Sequence, residues 1–260
     1  MEDGERVTLP FPDLGVGIRE ALLAIEGAVL SDFKFPLPGD LKDLAKASDL
    51  VSGVVEDRIP ALLNSVRSTT WDEDGKLGDY EWRKFAIGFP DILLVRRSDP
   101  TDVLFEIEAK SWYILSNDPL TARFLTSQTV INDGTLVVVV AWMLDGVVSG
   151  SPVLLRLYVD DARRLAQVRD DTWRATPPLD SHRVVDPDNE IGTPRNLLKT
   201  QVRGEMRSAA GTWHKDSDNF GKLDRLYDDQ LRAFRDGVWD LTAAGKPLRS
   251  WHRFIKRDDA

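Results

Sequence analysis

Cysteine is absent from this 260-residue chain, so neither disulfides nor thiolate chemistry can figure in its fold or its work, and a reducing compartment suits it. Histidine is scarce: His182, His214 and His252 are scattered without the spacing of metal ligands, which leaves them as surface or nucleic-acid-contacting residues. Long apolar runs are missing too. The longest, Leu136 to Leu144, has 9 residues, less than half of the roughly 20 that a membrane-spanning helix needs. The N-terminus, Met1-Glu2-Asp3-Gly4-Glu5-Arg6, is acidic and lacks the apolar core of a signal peptide, so a cytoplasmic protein with no membrane partner is expected. No internal repeat, low-complexity tract or glycine-rich phosphate loop interrupts the chain. Positive charge is in deficit, with 34 Lys and Arg against 43 Asp and Glu for a net −9. Taken alone, that balance opposes a nucleic-acid partner, because binding backbone phosphates is largely electrostatic.

What the chain does carry is a set of carboxylates and a lysine on apolar strands. Residues 87 to 95 end in a β-prone apolar run, and residues 103 to 112 form another. The polar stretch between them, Arg96-Arg97-Ser98-Asp99-Pro100-Thr101-Asp102, centres on Asp-Pro and predicts the connection of a β-hairpin. Along the second strand Val103, Phe105, Ile107 and Ala109 point one way and Glu106, Glu108 and Lys110 the other, since strand side chains alternate. Glu108 and Lys110 therefore share a face. Asp91 comes towards that face from the adjoining strand if the hairpin pairs in the register its loop suggests. Pro90 has no N–H for a ladder, which sets it at the start or an irregular point of its strand and makes Asp91 the first residue past a break.

Carboxylates crowded on one face repel one another unless a cation neutralises them. Magnesium suits such a place, because it takes oxygen ligands, keeps several waters and is commonly held by one or two carboxylates plus substrate phosphate. A bound metal can activate a water and neutralise charge in the transition state, and Lys110 could orient or deprotonate that water or offset the charge. The predicted reaction is hydrolysis of a phosphodiester. The bland alternative makes Glu106, Glu108 and Lys110 the solvated face of an edge strand, with Glu106 alone read as a supporting or solvent-facing residue.

Pro90-Asp91 and, 17 positions after Asp91, Glu108-Ala109-Lys110 resemble the motif of the PD-(D/E)xK nuclease superfamily, which includes many type II restriction endonucleases. The resemblance covers residues 80 to 145. It implies an α/β fold, a restriction-endonuclease-like mixed β-sheet flanked by α-helices. It also implies Asp91 and Glu108 as metal ligands, the backbone carbonyl of Ala109 as another, Lys110 as the catalytic lysine, and Mg2+ as the cofactor, with Mn2+ able to substitute. Some members of the family add an acid from the helix before the first strand. Glu56 is the candidate for that role here, Glu81 competes with it, and an ordinary boundary glutamate is the plain alternative. Gln128 is similar to a glutamine of some relatives, but the pattern around it is incomplete.

The surroundings can be read without the family. Asn117-Asp118-Pro119 is a helix start, with a helix predicted from 119 to 131 and stopped by Asn132-Asp133-Gly134. Thr135 to Leu144 is a nearly unbroken apolar run that predicts a central strand, and the strand–helix–strand order favours parallel pairing. Val153 to Val159 leads into a short helix near Asp160-Asp161, and helices are predicted over 17–32 and 49–67. In the latter, Val51, Val55, Ile59, Leu62 and Val66 make an apolar stripe, with Glu56 near its edge and Asp57 pointing away.

Charge is unevenly spread. Residues 193 to 260 hold 14 Lys and Arg against 10 Asp and Glu, a balance of +4 that leaves −13 for residues 1 to 192. Arg195, Lys199, Arg203 and Arg207 recur every four residues, a row of cations on one helix face that could contact nucleic acid or simply be solvated; Trp213, His214 and Lys215 follow. Pro177-Pro178 and Asp186-Pro187-Asp188 mark a loop. The expected organisation is a nuclease core with N-terminal helices over 1–175, then a loop and a basic, mainly helical region over 176–260, separate or part of the same domain. The expectation is a magnesium-dependent DNA endonuclease, and the resemblance implies a role in restriction or other defence, on duplex DNA, as a homodimer. A catalytically idle binding module and a repair or recombination nuclease are the alternatives.

Overall fold

The computed structural model describes residues 13–31, 34, 41–85, 88–116, 122, 124, 126, 128–147, 149–175, 223 and 228–251. Three helices and five strands precede residue 176 in the order α1 (Leu14–Ala24), α2 (Leu41–Ser65), β1 (Tyr80–Lys84), β2 (Ile92–Arg96), β3 (Asp99–Tyr113), β4 (Leu136–Leu144), β5 (Pro152–Asp161) and α3 (Ala162–Ala175). After them come α4 (Asp229–Trp239) and a two-stranded ribbon of β6 (Thr242–Ala243) and β7 (Lys246–Pro247). The five strands form one mixed sheet in sequence order. β1, β2 and β3 are antiparallel, β3 and β4 parallel, and β4 and β5 antiparallel. The molecule is thus an α/β protein with a five-stranded mixed sheet flanked by helices. No helix among the described residues is long and apolar enough to cross a membrane.

β4 is the floor of the core. All 9 of its residues are buried, and each large aliphatic side chain so removed from water contributes on the order of 1.5–3 kcal/mol. Its parallel ladder with β3 runs from Ile107↔Leu136 to Tyr113↔Trp142, the pairing expected from a strand–helix–strand order, although the connection's described part is not an α-helix. The two faces of the sheet follow from register. Trp82, Leu94 and Phe105 are paired residues of β1, β2 and β3, and Trp82 meets Phe105 and Trp71 edge-on at 6.1 and 6.0 Å. α2 lies against β1 and β3, with Val51, Val55, Ile59 and Leu63 buried. The opposite face carries Trp112 and Tyr158, and Phe234 of α4 packs on both at 6.0 and 5.2 Å.

Both rims of the sheet are closed by side chains. On β1, Asn64 of α2 acts as a substitute strand: its amide donates to the Trp82 carbonyl at 2.9 Å and accepts from the Trp82 N–H at 2.9 Å, while Arg67 donates to the Tyr80 carbonyl. On β5, Arg19 donates to the Val159 carbonyl and Glu26 accepts from the Leu157 N–H. Backbone groups that an edge strand would present to another chain are thereby engaged.

Three local expectations are corrected. The hairpin turns at Arg97-Ser98, with Arg96 paired to Asp99, so Asp99-Pro100 opens β3 rather than centring the loop; the Asp99 carboxylate accepts from the Thr101 N–H and hydroxyl, and proline is tolerated at a strand start. β1 stands where no strand was expected. The helix predicted over 119–131 is not found in its described part: Ala122, Phe124 and Thr126 are non-helical, and Gln128–Val130 is one 3₁₀ turn. Their carbonyls are taken by distant donors instead, Ala122 by the Leu223 N–H at 3.0 Å and Phe124 and Thr126 by the Arg169 guanidinium at 3.0 and 2.9 Å. Residues 117–121 and the Pro177-Pro178 and Asp186-Pro187-Asp188 segments lie outside the described residues.

Two aspartates start the later helices. Asp161 accepts from the Arg164 N–H at 2.7 Å at the head of α3, and Asp228 accepts from the Leu231 N–H at 2.8 Å at the head of α4. Asp228 also receives Arg164 at 2.6 Å, tying α4 to α3. Burial alone would raise the Asp228 carboxyl, but the hydrogen bonds from Arg164 and from the α4 backbone outweigh it and hold it below the usual aspartate range. A carboxyl depressed in the folded state contributes stability that is complete above its unfolded value of about 3.9 and is lost as the pH falls through the lower folded value. Asp228→Asn should therefore flatten the stability–pH curve below about pH 4. Wild type and variant losing stability in parallel across that range would refute the assignment.

Candidate active site

β2 leaves β3 at Asp91, and the site lies in the resulting gap. Gly88 turns the chain with φ +88°, a left-handed conformation that glycine adopts without strain, and sends it into Phe89-Pro90. Phe89 is buried against Phe124, ring centroids 6.2 Å apart, which anchors the approach. β2 begins at Ile92, so Asp91 is the first residue past the break, as the proline requires. It is fixed from two sides. Its main-chain carbonyl accepts from the Phe85 N–H at 2.7 Å, and its carboxylate accepts from the Ala109 N–H at 2.9 Å, taking the place of the ladder partner that β2 no longer supplies.

Lys110 reaches into the same gap. Its ammonium donates to Glu108 Oε1 and to the Ala109 carbonyl, the latter at 3.1 Å, and stands 3.7 Å from Asp91 Oδ2. The carboxylates of Asp91 and Glu108 therefore meet around one cation. Glu108 is 3% and Lys110 9% exposed, which overturns the solvated-edge alternative; β3 is the middle strand of the sheet. Glu106 is buried too, and its two oxygens accept from Asn132 and Thr135, each at 2.8 Å, pinning the turn before β4 rather than facing solvent.

Burial alone would lower the Lys110 ammonium, yet the charges of Glu108 and Asp91 outweigh it, with Glu56 adding to them, and its pKa lies above the ordinary lysine value. The two carboxylates thus favour the charged form of Lys110, which suits a group that donates hydrogen bonds and offsets negative charge.

The rival acids separate. Glu81 is engaged at the hairpin, by Arg83 and by Arg97 at 3.2 Å, and the bond from Arg83 holds it below the usual glutamate range. Glu56 lies on α2 and, like Glu81, is held in an ion pair. Pro60, four residues further on, removes the amide that would otherwise bond the Glu56 carbonyl. The Glu56 carboxylate is 3.3 Å from Lys84, a second ammonium that the sequence reading passed over. Gln128 donates to Asp170 at 2.6 Å and so belongs to a buried knot behind the site. Arg195, Lys199, Arg203, Arg207 and all three histidines lie outside the described residues.

The donors fit a hard cation. Asp91 Oδ2, Glu108 Oε1 and the Ala109 carbonyl oxygen surround a single ammonium nitrogen, an all-oxygen set with two anions of the kind magnesium accepts. Among the described residues no group of three or more His, Cys, Asp or Glu gathers where it could hold a metal alone. Two carboxylates and a carbonyl would leave the other positions to water and substrate. No protein-family model matches this chain, and a comparison with curated proteins finds no match either.

Proposed function

We propose that this chain is a magnesium-dependent endonuclease with a restriction-endonuclease-like core, cutting duplex DNA in a type II restriction or other defence role. One observation carries the reading: the carboxylates of Asp91 and Glu108 and the carbonyl of Ala109 converge on the Lys110 ammonium where β2 parts from β3. The same residues bear the resemblance to the PD-(D/E)xK nucleases. Asp91 and Glu108, with the Ala109 carbonyl, would hold Mg2+ or Mn2+, which supplies an activated water and neutralises charge on the phosphodiester. Asp91 is kept in position by the Ala109 N–H and by its own carbonyl's bond to Phe85. Lys110 would orient the attacking water and offset charge on the phosphoryl oxygens. The assignment to DNA, to defence, to a cytoplasmic homodimer and to one strand cut per active site rests on family analogy.

The test is incubation with long duplex DNA and Mg2+, followed by sequencing of the ends. Recurring ends support restriction, and random ends point to a non-specific or repair-type nuclease. Intact DNA with both Mg2+ and Mn2+ would favour a binding module and defeat the proposal.

A further inference from the structure

Register assigns the side chains of β1 to faces. Trp82 and Lys84 turn to α2, so Arg83 between them lies on the other face, and the ladder sets it in one row with Leu93 and Glu106. Two residues on, the Phe85 N–H bonds the Asp91 carbonyl at 2.7 Å, which continues the ladder past Lys84↔Ile92; Asp91 in turn stands one step beyond Ile92↔Ile107, opposite Glu108. The Asp91 carboxylate is on the face of Lys110, 3.7 Å from its ammonium, and a residue directly opposite in an antiparallel pair shares its face. Phe85, Asp91 and Glu108 thus form a row across three strands on the side of the site. A single exposed aromatic is ordinary, but Phe85 is 40% exposed beside the acids of the gap, and cations flank it. Further out on the same face Arg83 and Arg97 both bond Glu81, the latter at 3.2 Å, with side chains 46% and 57% exposed. Two guanidiniums sharing one carboxylate leave a unit of positive charge in a protein of net −9. Arg83 and Phe85 are about 7 Å apart along the strand, roughly two nucleotide steps.

We propose that this rim of β1 seats the substrate strand, with Phe85 stacking on a base beside the bond to be cut and Arg83 and Arg97 on the phosphates leading to it, so that the strand is taken with that base out of the duplex stack. An aromatic ring interleaved with cations is how an unstacked strand is held, the cations tracking its backbone and the ring meeting a base. The proposal rests on the nuclease reading above, and its test is binding without turnover, in chelator or with Ca2+ in place of Mg2+. A short labelled single strand and the matching duplex are titrated by fluorescence anisotropy. Phe85→Ala and Phe85→Leu should weaken the single strand about tenfold and leave the duplex within about twofold, while Phe85→Trp holds both. A 2-aminopurine base in the strand should be quenched by wild type and by Phe85→Trp, and not by Phe85→Ala. Arg83→Gln and Arg97→Gln should each lower the slope of log affinity against log salt by about 0.7, whereas Phe85→Ala leaves the slope as it was. Equal binding by Phe85→Ala, a loss of the same size on single strand and duplex, or salt slopes unchanged in both arginine variants overturns the proposal. So does a Phe85→Ala protein that keeps its oligonucleotide but loses a dimer, which would make the ring a contact between copies. If wild type binds neither strand nor duplex, the nuclease reading falls and this proposal with it; if wild type binds and Phe85→Ala binds alike, only the seat on β1 is refuted.

Discussion

Lys110→Met is expected to lose cleavage by on the order of 10²–10³-fold, the usual effect of removing one preorganised donor to developing charge. It is also expected to lose stability in a way that depends on both pH and metal. The wild-type ammonium bonds Glu108 and neutralises Asp91 in a buried gap. Breaking a buried pair by removing one partner costs roughly 3–5 kcal/mol, because the remaining charge is left uncompensated. Two carboxylates kept together without a cation favour taking up a proton. The folded variant then binds more protons than the unfolded chain, so its stability falls as pH rises. Thermal unfolding in chelator at about pH 5 and about pH 8 should show that fall, and millimolar Mg2+ should reverse much of it by supplying the missing positive charge. A variant as stable as wild type at both pH values and indifferent to Mg2+ would mean that the Lys110 ammonium is not what holds the two acids together.

The second large effect concerns the knot behind the site. Arg169 and Asp170 are 2% and 4% exposed, and Arg169 Nε donates to Asp170 Oδ1 at 2.6 Å. The same guanidinium holds the carbonyls of Phe124 and Thr126, and Gln128 donates to the other Asp170 oxygen. Asp170→Ala strips the buried guanidinium of its carboxylate at a cost of about 3–5 kcal/mol. In a domain of this size that lowers the melting temperature by roughly 6–20 °C. The effect should travel: Phe124 packs on Phe89, two residues before Asp91, so Mn2+ affinity should weaken as well. Replacing both members with apolar residues, as in Arg169→Met with Asp170→Leu, should recover most of the stability, since paired removal leaves no buried charge. Melting curves for the two variants decide the matter, and an Asp170→Ala protein that melts with wild type would show that the knot carries no weight.

The sequence was legible wherever period and burial agree. The alternation of Glu106, Glu108 and Lys110 against Ile107 and Ala109 sufficed to place Glu108 and Lys110 on one face, and a proline before Asp91 sufficed to mark the break. The apolar run of β4 announced a strand covered on both sides; its parallel partner was expected from a connecting helix that the described residues do not show. What escaped depended on partners remote in sequence. Asp118-Pro119 is a fair helix signal, but nothing near Phe124 or Thr126 shows that Arg169, more than 40 residues away, will claim their carbonyls. β1 was hidden because Glu81, Arg83 and Lys84 carry no apolar run, and its strand character comes from Asn64 and β2 on either side. Glu56 and Glu81 looked equivalent along the chain; the fold gives them different partners, Lys84 for Glu56 and the hairpin arginines Arg83 and Arg97 for Glu81.

Stoppering of the outer strands by Asn64, Arg67, Arg19 and Glu26 has a consequence for assembly. At those positions neither flank can recruit an extra strand, so a second copy, or an incoming peptide, has to dock through helices or loops instead of lengthening the sheet. Loss of Asn64 would free the Trp82 backbone groups on one flank and invite the molecules to stack sideways there.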